Sequence, residues 1–200
     1  DLAQGIYYYR GTQNWQKTMS IVFGPDTDLE YLTLKKTYRT TEEIMNTANK
    51  VISHLIEKLN CSLGEPVMKN GAPVTIKQFE NEDKMVEQII SRLTEFENKD
   101  FKNIALICKT VEDCERLYKK LEREDVHIIS DKDNEYSGGI NIVPSYLSKG
   151  LEFDAVIITN ADIYNYTDSE VDTKLLYVCI TRAMNTLDIY HVNELTKLLK

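Results

Sequence analysis

Ser148-Lys149-Gly150-Leu151-Glu152-Phe153-Asp154-Ala155-Val156-Ile157-Ile158 sets a glycine turn and a carboxylate directly before a continuous apolar run. An unbroken run of that kind predicts a strand buried on both faces, as parallel sheets require. Working outward, the pattern recurs. Ile104-Ala105-Leu106-Ile107-Cys108 is a second apolar strand, and Gly138-Gly139 precedes a third at Ile140-Asn141-Ile142-Val143. Val126-His127-Ile128-Ile129 is a short strand, Val74 to Phe79 alternates, and Leu187-Asp188-Ile189-Tyr190 closes the sheet.

Helical patterns stand between these strands. Thr40 or Thr41 caps a helix running to about Leu59, with Glu42 and Glu43 in its first turn. Glu82 to Asn98 carries Met85, Val86, Ile89, Ile90 and Leu93 on one face. Val111 to Arg123 and Lys174 to Ala183 are the others. Gly64-Glu65-Pro66 and Asn70-Gly71-Ala72-Pro73 are turn signals. Strands alternating with helices predict an α/β domain: a mainly parallel sheet with helices on both faces. Residues 34–200 read as that domain, and residues 1–33 as a lead-in loop with short pieces of structure.

The chain has 200 residues, 42% hydrophobic and 28% charged, which suits one globular domain. No apolar run approaches the roughly 18 residues of a membrane helix, so no membrane partner is expected. The net charge of −8 counts against strong nucleic-acid binding by this chain alone, because phosphate contacts supply much of such affinity. A local basic or aromatic groove remains compatible with it. The chain opens Asp-Leu-Ala-Gln without Met and reads as an excised piece, so targeting of its parent is not legible. Cys61, Cys108, Cys114 and Cys179 form no CxxC pair, and His54, His127 and His191 are scattered. Reduced thiols in a cytoplasmic protein, and no metal site, are the expectation.

Four residues, Gly150, Glu152, Arg182 and Arg39, invite a chemical reading. Ligands of parallel sheets lie outside the carboxyl ends of the strands. There Gly150 would let backbone approach a ligand and Glu152 could accept from hydroxyls. On local chemistry alone, a surface turn with a solvated Glu is the plainer reading. Arg182 follows Thr181 near a helix end, where a cation also answers the helix dipole. Arg39 stands just before a helix cap and has no distinction on spacing alone.

Order along the chain narrows these alternatives. The Ser148–Asp154 run resembles motif V of superfamily 1 helicases of the UvrD/Rep type. Leu176-Tyr177-Val178-Cys179-Ile180-Thr181-Arg182-Ala183 resembles their motif VI, and Leu34-Lys35-Lys36-Thr37-Tyr38-Arg39-Thr40-Thr41 their motif IV. Asp1-Leu2-Ala3-Gln4-Gly5-Ile6-Tyr7-Tyr8-Tyr9-Arg10 is similar to motif III after its opening glycine.

The resemblance implies the second RecA-like motor domain, of the P-loop NTPase type and three layers thick. By it, Arg182 and Arg39 reach across a domain cleft to the γ-phosphate of ATP. Glu152 contacts the ribose beside Gly150, Tyr38 packs close to the nucleotide, and Gln4 senses the γ-phosphate. Tyr9 stacks on a base of single-stranded DNA with Arg10 beside it, and Tyr146, Ser148 and Lys149 lie on the DNA side. No Gly-x-x-x-x-Gly-Lys-Ser/Thr loop is present. ATP and Mg²⁺ would therefore be held mainly by an N-terminal RecA-like domain of the parent, and this fragment would be inactive by itself.

Two departures open a second reading. The segment between motifs IV and V leaves no room for the family's large accessory insertion. Pro144 and Tyr146 stand where the family shows Thr and His. The local form looks closer to the HelD branch of helicase IV-like proteins, some of which act on RNA polymerase. The expectation is a DNA helicase motor domain, with an ATP-driven RNA polymerase remodeller as the alternative. A non-catalytic binding module on the same scaffold is the third.

Overall fold

A computed structural model describes residues 2–6, 15–24, 34–59, 61–67, 70–131 and 138–200. In chain order the elements are α1 (Trp15–Phe23), β1 (Lys36–Thr37), α2 (Glu42–Ile52), a 3₁₀ turn at Ser53–Leu55 and α3 (Ile56–Leu59). β2 (Glu65–Pro66), β3 (Thr75–Gln78), α4 (Glu82–Asn98), β4 (Asn103–Cys108), α5 (Val111–Leu121) and β5 (Val126–Ile128) follow. β6 (Gly139–Pro144), a 3₁₀ turn at Ser145–Leu147, β7 (Phe153–Ile158), α6 (Glu170–Ile180), β8 (Ala183–His191) and a 3₁₀ turn at Lys197–Leu199 complete the set.

Six strands form one wholly parallel sheet in the order β3-β8-β7-β4-β6-β5. β4 and β7, the most apolar runs, lie at its centre, where both faces are covered. One face is packed by α2 and α6, whose Ile44, Ala48, Val51, Leu176 and Ile180 meet Ala105, Val156 and Leu187. The other is packed by α4 and α5, with Ile89, Leu93, Phe96 and Leu117 against Leu106, Ile142 and Ile157. This is the three-layer α/β architecture expected from the alternation.

Polar side chains at the helix starts explain where each helix begins. Thr41, Asn81, Thr110 and Ser169 each accept a backbone N–H of the first turn, and Thr110 forms a reciprocal box with Asp113. Asp154 does similar work between strands: its Oδ2 accepts from the N–H groups of Lys102 and Asn103 at 2.8 and 2.9 Å, fixing the start of β4 against β7.

Several expectations need correction. The last helix begins at Glu170 and ends at Ile180, so Arg182 stands beyond it, one residue before β8. β8 does not close the sheet; it lies between β3 and β7. All four residues of β3 are exposed, because an edge strand with little helix cover has no buried face to mark its alternation. The Gly64-Glu65-Pro66 signal enters a small parallel ladder with β1. Proline is tolerated there because Glu65 and Val67, on either side, supply the donors to Lys35 and Thr37. Residues 15–23 of the lead-in are helical.

Candidate functional site

The motif V turn is built from short local bonds. Ser148 N–H donates to Ser145 O at 3.2 Å and Leu151 N–H to Ser148 O at 3.1 Å. Gly150 sits at φ +91°, a conformation that L side chains avoid, with open space where a Cβ would project. The turn delivers Leu151 and Glu152 to the amino end of β7. Arg182 arrives at the amino end of the neighbouring β8. The site therefore lies at the amino ends of the strands, not outside their carboxyl ends. The reason is topological: each residue ends a connection that re-enters the sheet rather than one that leaves it.

Arg182 is only 2% exposed, and no ion pair to it occurs among the described residues. Its guanidinium donates Nε to Val178 O at 3.0 Å, Nη1 to Leu151 O at 3.2 Å and Nη2 to Thr181 Oγ1 at 3.1 Å. Two of its five N–H groups are left over. Burial, and then the charge of Arg39, push its pKa below the usual arginine value; Cys179 and Glu152 oppose them. The group remains cationic, since arginine's starting value is so high. Its main chain joins in: Phe153 N–H donates to Arg182 O at 3.0 Å. Glu152 is thus bracketed, with Leu151 on one side and Phe153 on the other both bonded to Arg182.

Arg39 comes from a separate element, the turn before α2. Its Nη2 lies 2.7 Å from Glu152 Oε1, with both side chains about two-fifths exposed. Thr40 and Thr41 behind it are buried and hold the turn against the core. Tyr38, directly before it, is 73% exposed. Three residues from three distant segments, Arg39, Glu152 and Arg182, thereby share one site. Two guanidiniums with one carboxylate leave an excess of positive charge suited to an anion. The carboxylate suits hydroxyls.

The other expected residues are placed differently. Ser148 is fully buried, and its hydroxyl donates to Ser145 O at 2.7 Å and approaches Cys179 Sγ at 3.8 Å. Its side chain shapes the turn. Cys179 behind it has its pKa pushed up to about 11 by burial. Lys149 is exposed. Tyr146 is half-buried, its hydroxyl donating to Asp131 Oδ2 at 3.1 Å. Gln4 lies in a turn beside Leu2 and Ala3, which enter the core. Tyr9 and Arg10 lie outside the described residues.

Sequence reasoning missed what supports the site. Thr181 is 4% exposed; its hydroxyl donates to Val178 O at 2.9 Å and accepts from Arg182. At the far end of α6, Asp172 forms an ion pair with Lys109, whose ammonium lies 4.4 Å from the Tyr166 ring centre. Burial raises the Asp172 pKa, but hydrogen bonds from Lys109 and Thr167 outweigh it and hold the carboxyl below its usual range. A buried hydroxyl or charge pair has no periodic signature, and only Thr181's place next to Arg182 hinted at it. Among the described residues, no three His, Cys, Asp or Glu side chains gather as a metal site, and no helix is long and apolar enough to cross a membrane.

The family model described as UvrD-like helicase C-terminal domain matches residues 32–137, and a second model of the same description matches residues 140–189. The solved C-terminal domain of a possible DNA helicase from Lactobacillus plantarum WCFS1 is 32% identical, with a TM-score of 0.66 over 82% of this chain and 92% of that one. Arterivirus nonstructural protein 10, a helicase solved with DNA, aligns at 11% identity and a TM-score of 0.43, over 74% of this chain and 31% of its own. No curated protein matches. The chain belongs to the family of UvrD-like helicase C-terminal domains.

Proposed function

We propose that this chain is the C-terminal motor domain of an ATP-dependent DNA helicase. It would share its nucleotide with a Walker-type domain of the same parent and have no ATPase by itself. The meeting of Arg39, Glu152 and Arg182 at one end of the sheet carries this reading. These are the residues that the motif resemblance assigns to phosphate, ribose and phosphate. ATP, with Mg²⁺ held by the other domain, supplies the phosphoanhydride whose cleavage drives stepping. On this chain, Arg182 would offer its two spare N–H groups to the γ-phosphate, and Arg39 would leave Glu152 to join it. Glu152 then accepts from the ribose hydroxyls, with Tyr38 packing beside the sugar or base and Gln4 close to the phosphate. Fixed donors aimed at developing charge lower the barrier without reorganisation at the moment of reaction. By the resemblance, Tyr9, Arg10, Tyr146 and Lys149 would contact single-stranded DNA, with the buried Ser148 holding the turn that presents Lys149.

ATP hydrolysis by the intact parent, with and without single-stranded DNA, tests the proposal. Wild type is expected to be DNA-stimulated. Arg39→Ala and Arg182→Ala are each expected to lose on the order of 10³-fold or more in rate, with nucleotide binding largely kept. Unchanged hydrolysis in both variants overturns it.

A second reading, ATP-driven remodelling of RNA polymerase by a HelD-like parent, rests on Pro144 and Tyr146 standing where the family shows Thr and His. Hydrolysis that needs both arginines but ignores DNA, with nucleotide-dependent co-purification of polymerase, would select it.

A further inference from the structure

We propose that Thr181 is a positioning residue that aims Arg182, the group that the proposed function places on the γ-phosphate; the inference rests on that reading. Three acceptors hold the Arg182 guanidinium. Two are main-chain carbonyls, Val178 O and Leu151 O, present whatever side chain stands at those positions. The third, Thr181 Oγ1 at 3.1 Å, is the single side-chain acceptor among the described contacts of this guanidinium. A hydroxyl can donate or accept, and here its direction is set. Its one proton goes to Val178 O at 2.9 Å, so a lone pair is left facing Nη2. Thr181 is itself fixed, at 4% exposure, by its N–H bond to Tyr177 O at 3.1 Å, where α6 ends.

The consequence is rotational. The carbonyl bonds at Nε and Nη1 fix two corners of a planar group, and the bond at Nη2 fixes the third. With all three in place, two N–H groups of the guanidinium remain for a ligand. Without the Thr181 acceptor, Nη2 is buried with a missing partner, and the plane swings to find one. A misplacement of about 1 Å at a reacting centre can cost roughly 10²-fold in rate, and a swing still restrained by the two carbonyl bonds should cost less.

The test is a double-mutant cycle on ATP hydrolysis by the intact, DNA-stimulated parent. Thr181→Val, nearly isosteric, is expected to lower kcat about tenfold at unchanged KM for ATP, and Thr181→Ser to restore it to within about twofold of wild type. In an Arg182→Ala background, Thr181→Val is expected to do nothing further, because the residue acts through the arginine. A silent Thr181→Val, or the same loss in both backgrounds, overturns the inference while leaving the role of Arg182 intact. A silent Arg182→Ala overturns the functional reading itself. If Thr181→Val fails to fold, Thr181→Ala goes through the same cycle and is judged by the same outcomes.

Discussion

Arg39 and Arg182 carry the same charge in very different settings, and stability separates them. Arg39 and Glu152 are each about two-fifths exposed, and an ion pair in such a place contributes less than about 1 kcal/mol. Arg182 fills a buried site with three hydrogen bonds. Arg182→Ala should therefore destabilise this chain by about 3 kcal/mol, and Arg39→Ala by under about 1. Urea denaturation of the two variants reads this directly, and equal losses would refute it. Gly150→Ala should cost about 1–2 kcal/mol from its positive φ alone, since nothing stands where the methyl would go. A residue's identity was legible in these motifs; its exposure was not. The burial of Arg182 was not legible because nothing in a one-dimensional string distinguishes a solvated guanidinium from one wrapped in carbonyls.

At the scale of elements, α6 is the organising piece. Its amino end is tied to the end of β4 by Asp172 and Lys109, both less than one-fifth exposed. Its carboxyl end presents Thr181 and Arg182. Asp172→Asn is expected to cost about 1–3 kcal/mol near neutral pH. The sign of its pH dependence follows from the depressed carboxyl pKa. That stability is present above the unfolded value of about 4 and is lost as pH falls through the lower folded value. Wild type and Asp172→Asn should thus converge in acid, below about pH 4, in denaturation curves taken across pH; a constant gap would argue against the ion pair. The start of α6 was hard to read because Thr173 to Ile180 is buried throughout, leaving no polar stripe to give a period. α4 was legible at both ends because Asn81, Glu82 and Asp83 mark its start and a clean apolar face runs to Phe96. β1 and β2, at two residues each, are too short for any periodicity.

For the whole molecule, stability should grade across the sheet. β4 and β7 are buried on both faces at its centre, while β3 is an exposed edge with one neighbour. Native-state hydrogen exchange should show Leu106 and Ile157 exchanging only with global unfolding. Edge amides of β3 should exchange through local opening at a much smaller free energy. Uniform protection across all six strands would contradict this. The parallel three-layer plan was legible because the central strands carry the unbroken apolar runs Ile104–Cys108 and Ala155–Ile158. The end of the sheet that carries the candidate site was not, because strand order and direction are set by long-range pairing.

The bracketing of Glu152 by Arg182 bears on how substitutions here are to be interpreted. Removing the guanidinium deprives Leu151 O of its donor at the same time as it removes a cation from the site. The turn that carries Glu152 is loosened along with the loss of charge, although the main-chain bond from Phe153 N–H to Arg182 O survives. One replacement at position 182 is therefore two lesions on one backbone hinge. A replacement at position 39, which hangs from a different element, is a single one.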